Sequence, residues 1–180
     1  MKSKIRIVIL LGILPVACAS WPPYANEAPD HFKANHDRLE KLRRLFEATD
    51  LVDASTSLDE GLYGRKSFDD TMEPVQVPHE DQIMNLFKAL RLSGVYRVRG
   101  VTYLPLGFKD SDDTTYRWFY AASSDKQKQP QPCKQSLKQK PCSKCAIKLS
   151  NEWWIEYRWY PTDLKIAEKK CKEGPENPFH

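Results

Sequence analysis

Glycine is scarce in this chain, 7 in 180 residues, and no internal repeat is visible. The shortage excludes a collagen-like triplet architecture, and no glycine-rich phosphate loop or Gly-x-Ser-x-Gly nucleophile pattern occurs. Long apolar runs are missing too. The longest, Ile7 to Val16, falls short of the roughly 20 residues a membrane-spanning helix needs. Paired metal-ligand motifs are absent: His31 and His36 stand five apart, off the i, i+4 face that helical ligands use, and His79 and His180 stand alone. Aromatics, in contrast, are plentiful, with 5 Trp, 8 Tyr and 7 Phe. With 41% hydrophobic and 29% charged residues, the composition suits one folded domain and argues against disorder.

Acidic residues are missing from positions 1–19, where Lys2, Lys4 and Arg6 precede the short apolar run. A basic start followed by such a segment reads as an export signal over residues 1–17, with a polar, proline-containing tether over 18–29. Removing the three cations leaves 25 basic against 24 acidic residues. The mature chain is therefore nearly neutral, which removes the electrostatic ground for a nucleic-acid partner.

Two cleavage points fit this start. Ala17-Cys18-Ala19 satisfies the small-x-small rule and releases a soluble secreted protein at Ser20. Leu14-Pro15-Val16-Ala17-Cys18 resembles the lipobox of bacterial envelope lipoproteins as a class. That resemblance implies lipidation of Cys18, a membrane anchor and a cell-envelope location. Ala19 after the cysteine is similar to lipoproteins sorted to the outer membrane and facing the periplasm.

The body, residues 30–174, reads as one domain with a C-terminal tail at 175–180. Asp30 is placed to cap a helix over about 31–49, with Phe32, Leu39, Leu42, Leu45 and Phe46 at helical spacing. Residues 50–78 read as mostly irregular, with a short strand near Val75-Gln76-Val77. A second helix after Pro78 carries Ile83, Leu86, Phe87 and Leu90, with Gly94 as its stop. The period then changes to two. Val95 to Leu104 reads as one strand with a bulge at Gly100, and Gly107 to Asp113 as the link to a strand over Thr114 to Ala122. Cys145 to Leu149 and Trp153 to Tyr160 form the last strands, followed by a short helix from Thr162 to Glu173. The order predicts an α+β fold: a small antiparallel sheet of about four strands with two or three helices packed on one face. Ile147, Leu149, Ile155 and Tyr157 should face the helices, and Lys148, Glu156 and Arg158 should face away as surface positions.

Of 5 cysteines, four lie in the body: Cys133, Cys142, Cys145 and Cys171. An even number in an exported chain reads as two disulfides, and four cysteines allow three pairings. The preferred pairs are Cys133–Cys142 within a loop and Cys145–Cys171 between sheet and last helix, since Cys145 shares a strand face with Ile147 and Leu149. A zinc or redox role for Cys142-x-x-Cys145 is less well matched: no second knuckle follows, and the motif opens a strand, not a helix.

The insert 123–144 carries six lysines against Asp125, in a Lys/Gln/Ser/Pro composition. It reads as a solvated loop, or as a contact for an anionic envelope surface or protein partner. It lacks arginine and aromatics, which argues against base stacking.

Candidate active-site chemistry is thin. Asp110, Asp112 and Asp113 lack the glycine and bidentate glutamate of a calcium loop. Glu80 and Asp81 read as first-turn acids favoured by a helix dipole. The chain is therefore read as a noncatalytic envelope-associated lipoprotein, without cofactor or metal, that acts through interactions. The alternative is a soluble secreted ligand-binding domain using an aromatic sheet face, with Trp154, Tyr160 and Arg158 as its candidate residues, on the strand face that also holds Glu156.

Overall fold

The computed structural model describes residues 26–57, 61–67, 75–111, 114–133 and 143–161. The export signal, Cys18, Cys142, the predicted last helix with Cys171, and the tail lie outside the described residues.

Helix α1 spans Ala28–Glu47. It starts earlier than expected, because Pro29 suits the first turn, where no backbone N–H is needed. Asp30 sits inside that turn and is not the cap. The helix buries Phe32, Leu39, Leu42 and Phe46. Helix α2, Glu80–Leu90, buries Ile83, Leu86, Phe87 and Leu90, the spacing read from the sequence. It is closed by Arg91 in the left-handed region (φ 56°), ahead of the expected stop. Gly94 instead opens a strand, where an added Cβ would lie 3.3 Å from the Ala54 carbonyl oxygen.

Seven strands form one antiparallel sheet: β1 Asp53–Ser57, β2 Gly61–Arg65, β3 Gly94–Val98, β4 Val101–Ser111, β5 Thr114–Ala122, β6 Ser143–Lys148 and β7 Trp153–Pro161. Their order across the sheet is β2-β1-β3-β4-β5-β7-β6. The expected four-strand sheet is therefore wrong: the fold is rich in β-structure, with seven strands and two helices among the described residues.

Two causes account for the difference. First, β1 (DASTS) and β2 (GLYGR) lack the apolar alternation that marks a strand. They form because Ala54 and Leu62 bury against the helices and Gly64 lets Leu51 and Val77 approach closely. Second, the expected strand from Val95 to Leu104 is two strands. Arg99 (φ 50°) and Gly100 (φ 76°) make a two-residue hairpin turn, with Val98 opposite Val101. The irregularity expected at Gly100 occurs instead between Pro105 and Gly107.

Both helices lie on one face of the sheet. Their core includes Ala54, Val95, Leu104, Trp118, Tyr120, Trp153 and Ile155. Polar contacts fix α1 to the sheet at both ends. The Tyr120 hydroxyl donates to the Ala28 carbonyl at 2.6 Å, and Arg43 donates to Glu152 at 2.7 Å. Thr102 donates to Glu47 at 2.7 Å and the Trp153 indole to Glu40 at 3.1 Å. The opposite face holds a second, smaller core of Val101, Tyr103, Phe119, Ala121, Ala146 and Trp154.

The Cys133–Cys145 disulfide corrects the expected pairing. Residues 131–133 run alongside β6: Ala146 donates to the Gln131 carbonyl at 2.9 Å, and Cys133 donates to the Ala146 carbonyl at 3.1 Å. This ladder sets Cys133 beside Cys145, with Cα atoms 4.8 Å apart. Backbone pairing, not closeness in sequence, chose the partner.

Candidate functional site

The period-two alternation of β7 puts Trp153, Ile155, Tyr157 and Trp159 on the helix side. Trp154, Glu156, Arg158 and Tyr160 take the other side. Register then brings neighbours to that second face. Phe119 lies opposite Glu156 and Ala121 opposite Trp154. Tyr103 pairs with Ala121 and Tyr96 with Tyr103.

The centre of this face is Arg158. Its Nε donates to Glu156 Oε1 at 2.6 Å. The other carboxylate oxygen accepts from the Trp154 indole N–H at 3.2 Å. The guanidinium lies 4.6 Å from the Tyr103 ring centroid and 4.9 Å from that of Phe119. Such contacts combine ring stacking with cation–π attraction. Tyr96 stacks on Tyr103 at 5.0 Å and meets Phe119 edge-on at 6.0 Å. Arg158 donates to the Tyr160 hydroxyl oxygen, and Arg117 covers the Tyr160 ring at 5.7 Å.

Tyr96 on β3 joins this face through its ring contacts with Tyr103 on β4 and Phe119 on β5, the two rings that Arg158 of β7 also meets. The long Arg158 side chain crosses β5 to reach the Tyr103 ring on β4, against which Tyr96 is stacked. Burial raises the hydroxyl pKa values of Tyr96 and Tyr160, so both stay protonated at neutral pH and can donate.

The structure gathers the three candidates Trp154, Arg158 and Tyr160 on one face, as the strand period requires. It corrects their exposure. Trp154 retains only 2% of its accessible surface, so it supports the face from beneath and is no open platform. Glu156, expected at a plain surface position, is 0% exposed. A rival tryptophan or tyrosine contact would have to come from the rest of the face: Tyr96, Tyr103 and Phe119 were not singled out from sequence. Only the alternation of aromatics along β3 to β5 could have flagged them, and it does not say which strands adjoin.

Elsewhere the geometry offers less. His31 Nδ1 lies 2.9 Å from the Tyr120 hydroxyl, under α1. Burial, then Arg91, lowers the His31 pKa. A depression of about 560 Å³ is lined, among the described residues, by the single segment 76–82, including Glu80 and Asp81. Among the described residues no group of three metal-ligating side chains comes together, and no helix is long and apolar enough to cross a membrane. The side chains of Asp110, Asp112 and Asp113 lie outside the described set.

Comparison with protein families, with curated proteins and with solved structures returns no match.

Proposed function

We propose that this chain is an exported envelope protein, held to a membrane by lipid on Cys18, that works by binding and not by catalysis. The observation that carries the export half is the Cys133–Cys145 disulfide, since such bonds persist in oxidising compartments outside the cytosol. It agrees with the basic, then apolar start and the Leu14-to-Cys18 sequence. In this reading the protein sits at the outer membrane and faces the periplasm. The same disulfide ties the lysine-rich segment 123–144 to the β6 edge. That attachment suits a loop contacting an anionic envelope surface or an acidic protein patch. Intact-mass analysis of the mature protein tests the anchor. A lipid-bearing N-terminus at Cys18, lost in Cys18→Ser, is expected; an unmodified start at Ser20 overturns the anchor and leaves a secreted protein.

The Arg158 cluster favours a second reading, in which the sheet face away from the helices binds a small ligand. Arg158 and Tyr160, with Tyr96 beside them, would meet that ligand, and Trp154 would hold Glu156 in place below. Tryptophan emission that changes saturably with a small aromatic solute supports this reading. Emission flat across all such solutes removes it.

A further inference from the structure

Resting on that second reading, we infer that the face receives a small aromatic carboxylate, with Arg158 as the group that meets the anion. Charge is the first argument. Among the described side chains, strand register places Arg65, Arg117, Lys144, Lys148 and Arg158 on this face, against Asp53 and Glu156. Asp53 is already bonded to Arg65 and Glu156 to Arg158, both at 2.6 Å. Among the described side chains the face is therefore cationic and complements an anion.

Geometry is the second argument. A guanidinium has five N–H donors in a rigid fork. Here Nε is committed to Glu156, and Tyr160 bonds the group as well. The Tyr103 and Phe119 rings, T-shaped to each other with centroids 6.0 Å apart, line adjoining sides of the group and do not enclose it, and 15% of the side chain reaches solvent. Glu156 is itself fixed through both oxygens, so binding need not first order Arg158. One guanidinium that already shares its charge with a buried carboxylate matches a planar, singly charged carboxylate better than a doubly charged phosphate. The partly exposed ring of Tyr96, backed by the buried Tyr103, supplies a wall for an aromatic body, and the protonated Tyr96 hydroxyl supplies a further donor.

The test titrates the exported, folded protein with benzoate, methyl benzoate and inorganic phosphate, read by tryptophan emission and by the arginine Nε–H resonance. Benzoate is expected to bind about tenfold or more tightly than either comparison, the scale of a charge-assisted hydrogen bond. Arg158→Lys should weaken benzoate by a similar factor. Tyr96→Phe keeps the ring and serves as the variant least disturbing to the fold: it should weaken benzoate severalfold with an unchanged melting temperature. Equal binding of benzoate and methyl benzoate overturns the anion inference while the aromatic ligand face stands. Phosphate binding as tightly as benzoate overturns the carboxylate class, and undiminished binding in Tyr96→Phe overturns the placement. If none of the three probes binds, both the inference and the ligand-face reading fall.

Discussion

Glu156→Ala is the substitution on which sequence period and tertiary structure disagree most sharply. A glutamate on the outward side of a surface strand should change stability by no more than about 0.5 kcal/mol when removed. In the folded chain Glu156 is fully buried and accepts from both Arg158 and the Trp154 indole. Removing it leaves a guanidinium with only 15% of its side chain in solvent and no counter-charge. Breaking one side of a buried ion pair costs about 3–5 kcal/mol, and the orphaned Trp154 donor falls within that range because the two losses share one carboxylate. For a domain of this size the melting temperature should fall by about 6–20 °C. Urea unfolding followed by tryptophan emission measures it directly, with the midpoint shifting at constant slope. Ile155→Ala, at a neighbouring position with 0% exposure, gives the scale for a simple cavity, about 2–5 kcal/mol. The double variant Glu156→Leu/Arg158→Met removes both charges and should recover most of the loss. A Glu156→Ala midpoint within about 0.5 kcal/mol of the parent would refute the buried-pair reasoning, as would a double variant worse than the sum of its singles.

Further outcomes follow from other contacts. Cys133→Ser should destabilise by about 3 kcal/mol in the chain-entropy account for a separation of 12 residues, and nonreducing peptide mapping should recover Cys133 joined to Cys145. Trp154→Ala should unfold the protein more readily, by about 3–5 kcal/mol in a denaturant titration, because the ring is buried among Tyr103, Phe119 and Ala121. His31 has a lowered folded pKa, so below its ordinary 6.5 the unfolded chain takes up the proton first and stability declines as pH falls toward the folded value. His31→Gln should flatten that decline, read as the urea midpoint at about pH 7.5 against about pH 5.5. Gly100→Ala should cost about 1 kcal/mol in the same assay, since φ is +76° and the new Cβ would crowd the Lys128 ammonium at 2.8 Å.

Local pattern was enough for the elements whose burial follows a single period. Ile83, Leu86, Phe87 and Leu90 mark α2, and the alternation from Trp153 to Tyr160 marks β7 together with the side each residue takes. The lysine-rich composition of 123–144 and the scarcity of catalytic motifs are likewise properties of the chain alone. Other features depended on what lies across the sheet. β1 and β2 carry little apolar pattern of their own and exist because β3 offers β1 a ladder and the helices offer cover to Ala54 and Leu62. Cys145 met Cys133 because residues 131–133 pair beside β6, a fact no cysteine spacing encodes. Period placed Glu156 and Arg158 away from the helices, but it carries no information about whether that side is wet. Strand order decided it, by setting Phe119 of β5 and Tyr103 of β4 within reach of Arg158 and stacking Tyr96 of β3 on Tyr103. A side chain's direction is a local property of the backbone, whereas its burial is set by neighbours tens of residues away.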